Sequence, residues 1–229
     1  WLKMFQNNLL MAAASAKAEF EVTFIENTGV VATTSNPFTI SGADLGSYAG
    51  TKHVILAINT DAEPGPINVV TVNGESATIV IEEGTGVYKQ SQTAIAIVEL
   101  TGVTSGDIVI TNTSSNPNRY SVSILQMILG SATPTDTWGP SYAASPTGTI
   151  DIVEGGFCVS VASALTSSTM SWSGLTERID ESGTAPGYAP AKSQAWDFEM
   201  SAETGRTITA TPSGSPSQRV GIGASFGPA

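Results

Sequence analysis

Few residues of this chain have the types and the spacing that catalysis or metal binding requires. His53 is the sole histidine, so any site built from two or more histidines is excluded. A Ser-His-Asp triad would have to use the same residue, which we interpret instead as structural or surface-exposed. Cys158 is the sole cysteine, on a strand-like stretch opposite Phe157 and Val159. That position predicts a small buried side chain rather than a reactive thiol.

Three pairs of acidic residues are candidates for the two carboxylates that glycoside hydrolysis needs at a fixed separation. These pairs are Glu82 with Glu83, Asp180 with Glu181, and Asp197 with Glu199. Neighbouring residues of a strand point to opposite faces, so we interpret Glu82 and Glu83 as the charged end of a hairpin rather than as a catalytic pair. The second pair precedes a Ser-Gly turn, and the third shares a solvated strand face opposite Trp196, Phe198 and Met200. The sequence therefore predicts a protein that is not an enzyme.

Calcium is the one metal for which the sequence offers candidate ligands, because loop carboxylates and carbonyl oxygens bind it in many β proteins. The candidates are Asp61, Glu63, Asp107, Asp180 and Glu181. None of them has the spacing of an EF-hand loop. We predict no cofactor and leave calcium as the open alternative.

The chain is acidic, with a net charge of −11 from 20 acidic and 9 basic residues. The basic residues are dispersed singly, so the sequence contains no basic patch to attract a phosphate backbone or an anionic membrane. No stretch approaches the ~18 consecutive apolar residues that span a bilayer. We therefore expect neither nucleic-acid binding nor membrane insertion. The low share of charged residues, 13%, is typical of secreted or virion β proteins.

Short alternating segments dominate the chain from residue 19 onward. Strands are predicted at residues 19–26, 54–58, 67–72, 75–81, 94–100, 107–111, 120–129, 149–153, 157–162, 170–173, 195–201, 207–211 and 219–226. Residues 54–58 are continuously apolar, which indicates a central strand covered on both faces. Asn73-Gly74 predicts a two-residue type I′ hairpin, because both residues tolerate positive φ angles. So many short strands predict an all-β fold, an antiparallel β-sandwich of jelly-roll type.

A proline-rich stretch, residues 131–148, is the predicted linker or crossover within this β region. It could divide two small sandwiches. We favour one domain over residues 19–229, because the ~80 residues after the linker would make a thin domain alone. No repeat at a fixed period is visible, so a solenoid or a propeller is not supported.

The first eighteen residues differ from the rest, since they are apolar and have no strand pattern. Asn8 could cap a short helix over residues 9–17, and an extended arm is the alternative. Polar residues 6–8 interrupt the apolar stretch, so we do not expect a signal peptide. Residues 1–18 are instead predicted to be an arm that anchors the protein to a partner. The anchoring side chains would be Trp1, Leu2, Met4, Phe5, Leu9, Leu10 and Met11.

Aromatic residues in predicted loops are the remaining functional signal. Trp138, Tyr142 and Tyr188 lie among Gly, Pro and Ser residues. Such rings stack on sugars or anchor protein interfaces. For Trp138 the alternative is a ring packed over the edge of the sandwich.

The stretch Phe-Gln-Asn-Asn-Leu-Leu-Met-Ala-Ala-Ala at residues 5–14 resembles N-terminal segments of bacteriophage structural proteins. The hairpin at residues 67–81 and the Ser-Gly-Asp-Ile-Val-Ile strand at 105–110 also resemble phage β-sandwich proteins. The resemblance implies a non-enzymatic virion protein, either a head decoration, a head fibre or a tail-associated subunit. Its expected partners are other virion proteins and further copies of itself, with host surface glycans as the alternative ligand.

Overall fold

The computed structural model describes residues 19–33, 35–61, 65–84, 91–113, 118–165, 169–182, 191–216 and 218–229. Within these ranges strands joined by turns and loops form the protein, and there is no helix. The prediction of an all-β, antiparallel fold is confirmed. The predicted helix or arm over residues 1–18 lies outside the described residues.

The strands before residue 130 form the first half of the molecule. They are β1 (Glu21–Asn27), β2 (Val31–Thr33), β3 (Phe38–Asp44), β4 (Lys52–Asp61), β5 (Ile67–Val72), β6 (Glu75–Ser76), β7 (Thr78–Gly84), β8 (Ser91–Leu100), β9 (Ser105–Asn112) and β10 (Asn118–Ile128). The strands after residue 130 form the second half. They are β11 (Asp136–Ser141), β12 (Thr147–Ile152), β13 (Gly156–Ala164), β14 (Met170–Ser173), β15 (Glu177–Ser182), β16 (Ala191–Met200), β17 (Glu203–Pro212) and β18 (Arg219–Phe226).

Each half contains two antiparallel sheets. In the first half the inner sheet has the order β1-β10-β4-β8-β7, with β2 also paired to β10, and the outer sheet has the order β3-β9-β5-β6. In the second half the inner sheet has the order β11-β18-β13-β16-β15, and the outer sheet has the order β12-β17-β14. Except for the short strands β2 and β6, the two halves therefore repeat one topology strand for strand.

Three apolar layers hold the four sheets together. In the first half, one layer fills the space between the inner and the outer sheet. In the second half, two adjoining apolar clusters fill the space between the inner and the outer sheet. The third layer lies between the two inner sheets, and it joins the two halves. Burial of apolar side chains is the main favourable contribution to each of these packings.

Strand β4 is buried along its whole length because both of its faces are covered. Val54, Leu56 and Ile58 face the first outer sheet, whereas Ile55 and Ala57 face the second half. The prediction of a central, doubly covered strand is confirmed. The predicted Asn73-Gly74 turn is confirmed as well, since these residues have φ angles of 51° and 84°. The predicted strand 75–81 divides, however: only two of its residues pair with β5, and β7 pairs with β8 in the inner sheet.

Two details of the sequence interpretation are wrong. Residues 131–148 are not only a connection, because β11 lies within them and pairs with β18. Met200 does not share an apolar face with Trp196 and Phe198. A register shift between β13 and β16, together with a φ of 51° at Glu199, turns Met200 into the core between the second inner and outer sheets. The division of the chain into domains stays a prediction.

Candidate functional site

A cleft of about 480 Å³ opens between strands β7 and β8 and the segment that joins the two halves. Its lining includes His53, Thr78, Ile97, Glu99, Thr133 and Pro134. Strand β4 contributes His53 and strand β8 contributes Glu99. These two residues lie opposite each other in the β4–β8 register. The cleft therefore combines one ionisable pair with hydroxyl groups and an apolar wall.

His53 is the most unusual side chain of this cleft. Only 9% of the residue is exposed, and neither ring nitrogen has a hydrogen-bond partner. Its Nε2 lies 3.5 Å from Oε2 of Glu99. Burial lowers the pKa of His53 below its ordinary value of 6.5, although the charge of Glu99 acts in the opposite direction. The imidazole is therefore neutral at neutral pH.

None of the hydroxyl groups that line the cleft is hydrogen-bonded to His53. A serine or threonine nucleophile needs a hydrogen bond to its base, and His53 makes none to Ser76, Thr78 or Thr133. The spacing Gly-x-Ser-x-Gly occurs once, at residues 223–227, and its first four residues end strand β18 rather than forming a strand-to-helix turn. Ser225 is buried there, and its hydroxyl donates to the backbone oxygen of Asp151 at 2.7 Å.

A second concentration of polar groups lies between the two inner sheets. We call it the junction cluster, and it consists of Asn59, Asp61, Arg119, Ser163, Lys192 and Gln194. Lys192 is fully buried, and its Nζ donates to Oδ2 of Asp61 at 2.5 Å. Nη1 of Arg119 lies 4.0 Å from the same oxygen. Oδ1 of Asp61 is buried without a hydrogen-bond partner.

Two amide side chains continue the junction cluster toward the apolar layer. Nδ2 of Asn59 donates to the backbone oxygen of Ala162 at 2.9 Å and to Oγ of Ser163 at 3.0 Å. Nε2 of Gln194 donates to the backbone oxygen of Ala57 at 3.1 Å and to Oδ1 of Asn59 at 2.9 Å. Each bond crosses from one half to the other. Because buried polar groups need partners, these bonds fix the alignment of the two inner sheets.

The sequence interpretation missed the junction cluster. It treated Lys192 as an isolated cation and Asp61 as a candidate calcium ligand, yet they form one buried ion pair. A local signal was present, because Asn59 and Asp61 continue the face of β4 that carries Ile55 and Ala57. Polar residues at the end of a strand ordinarily indicate exposure, so the pattern alone did not identify a junction.

The predicted glycan-stacking residues do not come together. Trp138 is only 3% exposed, and its Nε1 donates to Oγ of Ser160 at 3.0 Å. Its ring packs against Gly148, Gly221 and Gly223, whose missing side chains leave space for it. A covered ring cannot stack on a sugar, so this prediction for Trp138 is wrong.

Tyr142 remains at the surface, and Tyr188 lies outside the described residues. Tyr142 is 49% exposed. Partial burial, the charge of Glu83 and a hydrogen bond to Glu83 raise the pKa of Tyr142 to about 12. The contact connects the loop after β11 to strand β7 of the first half. The predicted anchoring residues Trp1, Leu2, Met4, Phe5, Leu9, Leu10 and Met11 also lie outside the described residues.

The acidic candidates are mostly engaged by backbone amides. Carboxylate oxygens of Glu82, Glu83, Asp107, Asp180 and Asp197 accept hydrogen bonds from the backbone N–H groups of Ile67, Gly84, Gly42, Met170 and Thr176 respectively. Within the described ranges, no group of three or more His, Cys, Asp or Glu residues could hold a metal ion. Cys158 is fully buried, which raises the pKa of its thiol and makes it unreactive.

Helices long and apolar enough to cross a membrane do not occur in the part of the chain that the structure describes. The chain matches no protein-family model and no curated protein sequence. Its function must therefore be argued from its residues and its geometry.

Proposed function

We propose that this protein is a non-enzymatic structural component of a bacteriophage virion. In this proposal residues 1–18 attach it to other virion proteins, and the double β body is displayed outward. Head decoration, head fibre and tail-associated subunit are the positions that such a protein would occupy, as a homo-oligomer. The observation that carries the proposal is the apolar layer between the two inner sheets, which makes one stiff body from two halves.

A stiff body suits display because both halves would move together on the particle surface. The layer contains large buried side chains from both halves, including Leu125, Phe157, Trp196 and Phe226. Interiors of this kind are close-packed and resist deformation.

The surroundings of Phe20 support attachment through the preceding apolar segment. Phe20 lies against Gly130, which forms a β-bridge with Pro228. Leu129 and Val153 are exposed apolar residues at this same end, and Val153 lies against Gly227. Phe20, close to the start of the described residues, therefore lies near exposed apolar side chains that a partner surface would cover.

The strand order supports the further proposal that each half is a sandwich of jelly-roll type. When the main strands of a half are numbered one to eight, omitting β2 and β6, the inner sheet has the order 1-8-3-6-5 and the outer sheet 2-7-4. A jelly roll has the same order, except that its fifth strand pairs with the fourth. Strand β6 makes that pairing with β5 over two residues before the chain crosses to the inner sheet as β7.

The test is particle incorporation of the full chain and of a chain that begins at residue 19. Both should fold with the same thermal midpoint, because the described residues from 20 onward form the three apolar layers. Only the full chain should be found in purified particles, and only it should form oligomers in light scattering. Incorporation of the shortened chain at the normal level would overturn the proposal, as would absence of the full chain from particles.

A matched pair of variants separates apolar anchoring from segment length. Leu9→Asp combined with Leu10→Asp should abolish incorporation, because a charged pair cannot be buried against an apolar partner surface. Gln6→Ala combined with Asn7→Ala should leave it unchanged. Equal incorporation of the two variants would contradict apolar anchoring.

Glycan binding is the second candidate function, and the exposure of Tyr142 is what favours it. With Trp138 buried, this tyrosine is the one ring of the predicted set that the structure places at the surface. Tyr142→Ala should then remove binding on a glycan array while Tyr142→Phe preserves it, because stacking uses the ring face. A parent protein that binds no glycan would end this alternative.

A further inference from the structure

The junction cluster places an amine nucleophile beside a carboxyl carbon. Nζ of Lys192 lies 2.5 Å from Oδ2 of Asp61, and both residues are buried. At this separation Nζ is roughly 3–3.5 Å from Cγ of Asp61, the distance of reacting atoms in a near-attack arrangement. The two side chains come from β16 and β4, so they belong to different halves of the molecule.

The reaction requires the neutral form of this buried pair. Each ion loses its hydration, and Oδ1 of Asp61 has no hydrogen-bond partner to compensate. Transfer of one proton from Nζ to the carboxylate gives a neutral amine and a neutral acid. The neutral amine is a nucleophile, and the neutral acid has a hydroxyl that can leave as water.

Two neighbouring side chains supply the remaining functions of an amide-forming site. The guanidinium of Arg119, 4.0 Å from Oδ2, can stabilise the negative oxygen of a tetrahedral intermediate. Glu181 lies directly opposite Lys192 in the β15–β16 register, where facing side chains have Cβ atoms about 4.5–5.5 Å apart. Oε2 of Glu181 is buried without a hydrogen-bond partner, so it can accept and return a proton.

We propose that Lys192 and Asp61 form an intramolecular isopeptide bond that links the two halves covalently. The Nζ atom attacks Cγ of Asp61, and the C–N bond forms as the carbonyl π bond opens. Glu181 takes a proton from the nitrogen and gives it to the departing hydroxyl. The C–O bond then breaks, and the products are one neutral amide and one water molecule. No oxidant, reductant or activated co-reactant is needed.

This inference is independent of the proposed function, since it concerns how the body is held together rather than what it attaches to. An amide between β4 and β16 would replace a buried ion pair by a neutral group. It would also prevent separation of the two inner sheets even when the apolar layer is weakened.

The test is the intact mass of the purified full chain, followed by peptide mapping. The parent protein should be lighter than its sequence mass by one water molecule. Trypsin should not cleave after Lys192, and a branched peptide should contain both Lys192 and Asp61. A folded parent protein with its full sequence mass and a linear peptide ending at Lys192 would overturn the proposal.

Variants distinguish the isopeptide bond from other dehydrations. Lys192→Arg should have its full sequence mass, because a guanidinium does not attack the carboxyl group. Loss of water from Lys192→Arg would show a different reaction, such as a cyclic imide at an aspartate, and would overturn the proposal. Asp61→Asn should form the same amide with loss of ammonia. Glu181→Gln should accumulate the unlinked mass, and unchanged linkage in this variant would exclude Glu181 as the proton carrier.

Discussion

The two faces of the first inner sheet are built differently, although both are buried. On the face toward the first outer sheet, β4 presents Val54, Leu56 and Ile58 along its middle. The buried Lys52 at the start of this face donates to Gly46 and Gln126, which belong to the same half. On the opposite face Ile55 and Ala57 are followed by polar groups that bond across to the second half. An apolar face can pack in several alignments, whereas buried polar groups are satisfied in one. The second face therefore determines how the halves are aligned.

The largest effect is expected at the junction cluster. Asp61→Ala leaves Lys192 buried without its partner, and should lower the free energy of unfolding by about 3–5 kcal/mol. Urea unfolding followed by fluorescence measures the change. The double variant Asp61→Ala with Lys192→Met should recover the part of the loss that is due to the unpaired charge, whereas the contribution of a covalent link stays lost. A single variant as stable as the parent protein would show that the pair is not important for the junction.

On the apolar face, Leu56→Ala should lower the free energy of unfolding by about 2–5 kcal/mol through loss of burial and formation of a cavity. No second substitution at the junction should recover this loss, since nothing polar is left unpaired. Recovery by Lys192→Met would contradict the separation of the two faces. The same urea measurement applies.

The layer beneath the outer sheet of the second half contains a buried polar contact, the bond from Trp138 to Ser160. Trp138→Phe removes the bond to Ser160 and should lower the free energy of unfolding by about 1–3 kcal/mol. Glycan binding, if the parent protein has any, should not change, because the ring is covered. Isothermal calorimetry measures the glycan affinity, and thermal unfolding of the same samples measures the stability. Weaker glycan binding with unchanged stability would contradict the burial of Trp138.

The smallest effect is the pH dependence at His53. Burial lowers the pKa of His53 in the folded protein below that in the unfolded chain. The unfolded chain then binds more protons between these two values, so stability rises with pH through this window and falls as the pH drops below about 6.5. His53→Gln should lack this contribution. Urea midpoints of the two proteins should therefore diverge between about pH 7 and pH 5, and parallel curves would contradict the lowered pKa.

Local patterns predicted much of the fold. The apolar run in β4 and the Asn73-Gly74 turn depend on neighbours in sequence, so alternation and turn propensity were sufficient to find them. Which faces two sheets present to each other depends on pairings between distant segments. The junction cluster brings Asp61 together with Lys192, and no local pattern contains that information.

The repeated topology was not visible in the sequence for a related reason. In the first half Phe38 of β3 stacks on Tyr120 of β10, with ring centroids 4.2 Å apart. In the second half Trp138 of β11 covers the glycines of β18. In both halves an aromatic ring covers the last strand. The ring comes from β3 of the outer sheet in the first half and from β11 of the inner sheet in the second half, so the two sequences do not align at these positions.

The apolar layer between the inner sheets should make the two halves unfold as one body. Scanning calorimetry of the full chain tests this directly. We expect one transition whose calorimetric enthalpy equals the van't Hoff enthalpy, because neither half can unfold without exposing the shared layer. Two separate transitions, one from each half, would contradict it.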